Sequence, residues 1–219
     1  MTPPPPARRR GRPAAKASID QRERLLDAAI SLFAARGIAA TPLNAIAKMA
    51  RVTPALLHYY FGNRAKLVEA VVEERLMPVV GPVMAAARTI DDADPRSSLT
   101  RLAKNFIGAI AAAPWLPPLW VREILCEGGL LREQLLTRIA PDVANRIRTL
   151  VQRGQESGQI NPDLDPRLVM ISLIGLTVFA LAAEPIWRRL PDSADIDMDA
   201  LTEHVVALLQ HGLEPLHAS

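Results

Sequence analysis

The sequence predicts an all-α chain in two parts, an N-terminal three-helix helix-turn-helix domain followed by a larger helical domain. Three observations predict it. Apolar residues recur at helical spacing through most of the chain. Aromatic residues make up only 4% of a chain that is 49% hydrophobic, so Ala, Leu, Ile and Val must build the core by close packing. Two Thr-Pro pairs, Thr41-Pro42 and Thr53-Pro54, lie twelve residues apart, and each reads as a helix cap followed by a residue suited to the first helical position. A chain of 219 residues has room for one small domain joined to one larger one.

Residues 1–17 hold the run Pro3 to Pro6 and the string Arg8-Arg9-Arg10-Gly11-Arg12-Pro13, too polar and Pro-rich to pack, which predicts a disordered basic arm. Ser18 with Gln21 three residues later resembles a capping box and opens a helix to about Ala35. Leu25, Leu26, Ala29, Leu32 and Phe33 form its apolar face, and Arg36-Gly37 stops it. The first Thr-Pro pair then starts a short helix, Pro42 to about Ala50, with Ile46 and Ala47 inward. Arg51-Val52 makes the turn, and the second pair starts Pro54 to Tyr60, with Leu57 and Phe61 assigned to the core. Two short helices joined by so few residues have the helix-turn-helix layout, in which the second helix enters the major groove.

Charge divides the chain in the same place. Residues 1–67 hold 12 Lys and Arg against 3 Asp and Glu, whereas residues 68–219 hold 14 against 20. A basic N-terminal third on an acidic body suits a polyanion partner for the first part only.

The stretches GIAATPLNAIAKMA (37–50) and VTPALLHYYFGNR (52–64), with the helix before them, resemble the DNA-binding signature of the TetR family of repressors over roughly residues 20–67. The resemblance implies a DNA-binding domain over 18–64, with its third helix reading double-stranded operator DNA. It further implies an effector-binding and dimerisation domain over 65–219, entered by a linking helix from Ala65. The short side chains of Thr53, Pro54, Ala55 and Leu56 let the recognition helix sit close to base edges and meet thymine methyls. His58 and Tyr60 offer donors at phosphate height, Arg64 resembles the family's phosphate clamp, and Asn44 reads adenine or contacts phosphate. Tyr59 is open between DNA contact and packing, and Thr41 reads as a helix cap first and a phosphate contact second. The family's turn usually carries glycine where this chain has Arg51, which therefore either takes a left-handed conformation or marks a different turn. In the arm, Arg10-Gly11-Arg12-Pro13 resembles the core of minor-groove AT-hooks, the alternative being a nonspecific basic tail.

Beyond residue 78 the resemblance weakens. Pro78 and Pro82 are expected to interrupt the linking helix, and Asp91 to Pro95 to form a loop. Helices follow over about 96–112, 120–127, 130–157, 166–190 and 199–213, with a break over Pro114 to Pro118. The segment Leu168 to Ala183 is apolar all round, too short for a membrane span. It is instead expected to pair with a second copy, since the family dimerises through its last two helices and a homodimer would cover such a surface. An effector pocket for a small hydrophobic molecule is expected among Phe106, Trp115, Trp120, Cys126, Met170 and Thr177. Arg122 is a further candidate for orienting a polar group, and with Glu123 stays open between that role and solvent.

Other classes fare worse. There is no nucleophile–base pair, glycine-rich phosphate loop or metal-ligand cluster: His58, His204, His211 and His217 form no ligand set, so neither enzyme chemistry nor a cofactor is expected. A nonspecific architectural DNA binder would use the arm alone and bind any duplex equally. The single cysteine, Cys126, permits no intrachain disulfide, and the N-terminus has no apolar signal region, so the expected setting is the cytoplasm.

Overall fold

The computed structural model describes residues 14–89 and 93–215, and every regular element among them is helical. The first helix, α1 (Ala14–Arg36), starts four residues before the Ser18 box. Ala14, Ala15, Lys16 and Ala17 are strong helix formers, and propensity carries the helix through the serine. Arg10 and Arg12 lie outside the described residues. Gly37 ends α1 at φ +85°, a conformation open to glycine, and its N–H returns to Phe33 O at 2.8 Å.

Helices α2 (Leu43–Met49) and α3 (Pro54–Phe61) complete the three-helix unit. The two Thr-Pro pairs behave differently. Thr53 caps α3, its hydroxyl accepting from Leu56 N at 3.3 Å, and Pro54 opens the helix as expected. Thr41 is no cap: α2 begins one residue later, with Pro42 in the cap position and no side-chain bond. Fully buried, Thr41 donates its hydroxyl to Gly37 O at 2.6 Å, which ties the loop to the end of α1.

The linking helix α4 runs unbroken over 64–88, as Arg64–Val71, a π turn Val72–Leu76 and Met77–Arg88. Neither Pro78 nor Pro82 interrupts it. A helical proline orphans the carbonyl four residues back, and here Arg75 Nη1 donates to that Glu74 carbonyl at 3.0 Å. After it come α5 (Pro95–Ala111), capped by Asp94, and α6 over 116–125, which Pro117 and Pro118 open rather than break. Helix α7 covers 132–156, α8 covers 169–182, α9 is the single turn Glu184–Trp187, and α10 is Met198–Leu213.

Two cores result. One lies between α4, α5, α7, α8 and α10, around Leu99, Ile107, Ile147, Leu150 and Leu173. The other joins α1 to α4, around Leu25, Phe33, Ile46, Leu57 and Leu67, and also takes in Leu119 of α6 and Leu131. Trp115 and Leu76 pack against both. The recognition unit is therefore seated on α6 as well as on its own helices.

Candidate DNA interface and effector cavity

Within the three-helix unit the inward residues are as the spacing predicts, Ile46, Ala47 and Leu57 having no exposure and Phe61 4%. The outward face of α3 carries Thr53, Pro54, Ala55 and His58, all exposed, with Leu56 half-buried beside them. Tyr59, open on sequence grounds, is 81% exposed. It stands edge-on to the half-buried Tyr60 at 5.4 Å between ring centres, and such contact restrains the ring at little packing cost. His58 donates from Nδ1 to Gly62 O at 2.9 Å, which leaves Nε2 outward. Asn44 is exposed on α2.

Arg64 is half-buried and donates through Nη1 to Ile38 O, so it ties α4 to the loop after α1. A guanidinium carries five N–H groups, and one such bond leaves others for phosphate. Lys48 in the last turn of α2 and Lys66 in the first turn of α4 are exposed as well. Neither is among the residues expected at DNA, although two cations on either side of α3 were a readable signal.

Arg51 takes φ +56° at the turn. A β-carbon in that region costs about 1 kcal/mol relative to glycine. Replacing Arg51 with glycine is accordingly expected to raise stability by up to about 1 kcal/mol in urea unfolding while weakening DNA binding through the lost charge.

The larger domain encloses an apolar cavity of about 110 Å³. Phe106, Trp120 and Met170 line it as expected, together with Val72, Leu76, Met84, Leu119, Ile124 and Val178. Every π turn among the described residues contributes a wall: Val72 and Leu76, Ile124, Leu135, and Val178. A π turn widens the helix and weakens its local packing, which is why such turns gather at functional cavities. Apart from the Trp120 indole N–H, Gln134 supplies the only polar side chain among the described lining residues.

Four expected lining residues lie elsewhere. Cys126 is exposed, just past the end of α6. Thr177 is buried, but its hydroxyl donates to Leu173 O at 2.6 Å within its own helix. Trp115 fills the seam between the two cores. Arg122 reaches the other way, donating from Nε to Ala34 O at 3.1 Å.

Glu123 shares that outward side of α6, with 4% exposure. One carboxylate oxygen accepts from Ile38 N at 2.8 Å and the other from Leu130 N at 2.9 Å. Two glycines permit it. A β-carbon on Gly37 would lie 3.2 Å from Glu123 Oε1, and one on Gly129 would overlap the Glu123 backbone. A second clamp pairs Arg22 of α1 with Glu74 of α4 at 2.5 Å, holding the Glu74 carboxyl below its usual range. Arg75 meets Glu23 at 2.7 Å and Asp27 at 2.8 Å. Residues on the wall of the cavity and residues holding the DNA-binding unit thus alternate along α6 and the π turn of α4.

Two family models match the chain. A model described as bacterial regulatory proteins, tetR family, matches residues 25–71. Another, described as tetracyclin repressor-like, C-terminal domain, matches residues 95–209. The chain is 24% identical to the HTH-type transcriptional regulator TtgR of Pseudomonas putida, over 81% of this chain and 84% of that one. It is 26% identical to the HTH-type transcriptional repressor SCO4008 of Streptomyces coelicolor, over 83% and 89% respectively. Among solved structures, a TetR-like transcriptional regulator from Rhodococcus sp. RHA1 superposes with a TM-score of 0.65 at 19% identity, covering 88% of this chain and 94% of that one. The transcriptional regulator FadR of Bacillus subtilis, solved with stearoyl-CoA, does so with 0.61 at 20% identity, covering 88% and 99%.

Proposed function

Because this chain belongs to the TetR family and is a DNA-binding transcriptional regulator, we propose that it represses its target as a homodimer and leaves its operator when a small hydrophobic molecule enters the apolar cavity. The observation that carries this reading is the shared use of α6. Trp120 and Ile124 are cavity walls, while Arg122 and Glu123 between them hold Ala34 and Ile38 of the DNA-binding unit. A cavity of about 110 Å³ is smaller than the roughly 300–1,000 Å³ of ordinary ligand sites. A ligand of ten or more heavy atoms must therefore push its walls apart, and α6 cannot move without pulling on residues 34–38. Ligand then favours a state in which the two recognition helices no longer match successive major grooves, and release follows from the difference in its affinity for the two states. Thr53, Pro54, Ala55, Leu56 and Tyr59 read the groove, His58, Tyr60, Lys48, Lys66 and Arg64 meet phosphates, and Asn44 contacts DNA from α2. No step requires catalysis or a cofactor. No helix among the described residues is long and apolar enough to cross a membrane, and a cytoplasmic setting gives access to the operator.

The test is a fluorescence-anisotropy titration of the full chain against its own upstream DNA and a scrambled duplex at near-physiological salt. A site-specific regulator is expected to prefer the native duplex by about 10³-fold or more. Tyr59→Ala, which removes an exposed ring and no core contact, should lower that affinity about tenfold with the melting temperature unchanged. Equal binding to both duplexes would sink the reading.

A further inference from the structure

Burying a tryptophan normally includes finding an acceptor for its indole N–H, because an orphaned donor forfeits the hydrogen bond it made in water. Trp120 breaks that rule. Its Nε1–H is buried and has no acceptor among the described residues, while its ring is part of the cavity wall. The rest of the lining is hydrocarbon and aromatic except for Gln134, and no Lys, Arg, His, Asp or Glu is among the described lining residues.

We infer that the effector is a neutral lipophilic molecule bearing a hydrogen-bond acceptor, a ketone or ester oxygen, which pairs with the Trp120 indole N–H. This rests on the reading of the cavity as the effector site. Two costs select that class. A pure hydrocarbon fills the space but leaves the indole N–H without a partner, forfeiting the gain from satisfying it. A carboxylate would satisfy it but enter an apolar cavity with no counter-ion, at a desolvation cost that one neutral donor does not offset. A neutral carbonyl meets both requirements.

Three molecules with one phenylbutane carbon skeleton separate the possibilities: butyrophenone, butylbenzene and 4-phenylbutanoate. Isothermal titration of the full-length protein at pH 7.5 is expected to rank the ketone first, about tenfold tighter than the hydrocarbon, with the anion weakest. In Trp120→Phe, which keeps an aromatic wall and removes the N–H, the ketone should fall to within about threefold of butylbenzene while butylbenzene binding is retained. A hydrocarbon or anion that binds wild type as well as the ketone, or a ketone preference that survives Trp120→Phe, overturns the inference and leaves the cavity as the effector site. Failure of all three to bind overturns the inference together with the cavity reading.

Discussion

Glu123→Ala is expected to destabilise the protein by about 3 kcal/mol, seen as a fall in melting temperature of about 6–12 °C. The side chain is 4% exposed and accepts two backbone N–H groups, from Ile38 at 2.8 Å and Leu130 at 2.9 Å. Hydrogen bonds to a charged acceptor contribute about 1.5–3 kcal/mol each, and truncation leaves both donors facing a void. Water entering that void recovers part of the loss, which is why the expected total lies at the low end of the sum. The same variant should weaken regulation. With the link from α6 to Ile38 gone and the Arg122–Ala34 bond left, a ligand that displaces α6 drags the recognition unit less, and operator binding should respond more weakly to ligand while persisting in its absence. Glu123→Gln separates packing from charge, since its carboxamide oxygen still accepts one N–H but its nitrogen faces the other donor. It should fall between wild type and alanine. A melting temperature for Glu123→Ala within about 2 °C of wild type, or full ligand response at equal stability, would remove Glu123 from the coupling.

Local chemistry made the recognition unit legible and tertiary chemistry hid the contacts of α6. The Thr53 cap, the Gly37 stop and the inward set Ile46, Ala47, Leu57 and Phe61 depend on contacts within a turn or two, and each was readable from residue type and spacing. At Arg51 the sequence left a left-handed residue and a different turn both open, and the structure has the left-handed one. Thr41 carries the same dipeptide as Thr53, yet its hydroxyl turns to Gly37, because the loop between α1 and α2 folds back over the end of α1. Glu123 and its partner Ile38 are 85 residues apart, a separation that leaves no periodic trace. In the cavity, the bulky apolar residues Phe106, Trp120 and Met170 were found by type. Thr177 and Arg122 do not line the cavity, because their polar atoms have backbone partners that no sequence pattern announces. The prolines misled in one direction only. Pro78, Pro117 and Pro118 read as breaks, but one follows a π turn with its orphaned carbonyl repaired and the others occupy a helix start.

Phe179→Glu is expected to convert the proposed homodimer to a monomer by light scattering and to lower operator affinity by about 100-fold or more. In the single chain, α8 presents Ile171 at 64% exposure and Phe179 at 60%, with Gly175 between them. These positions are four residues apart and share one face. Leu168 at 53%, Ile186 at 71%, Leu190 at 56% and, on α10, Leu208 at 48% are exposed apolar side chains as well. Nothing lies within 4 Å of where a β-carbon on Gly175 would sit, which leaves the centre of the stripe open to close approach by another backbone. So much exposed apolar surface is costly in water, and a two-fold partner laying the same face against it removes the cost for both. A carboxylate at position 179 would then be buried twice, once from each subunit, against apolar neighbours and near its own symmetry mate. The affinity loss follows because one subunit holds one half-site, and the second contact ceases to be intramolecular. The monomer itself should keep its fold, since the substituted side chain is mostly exposed there, and an unchanged helical circular-dichroism spectrum checks that. Ile171→Glu should act in the same way. If both variants remain dimers with wild-type operator affinity, the subunits meet through another surface and the stripe has a different partner.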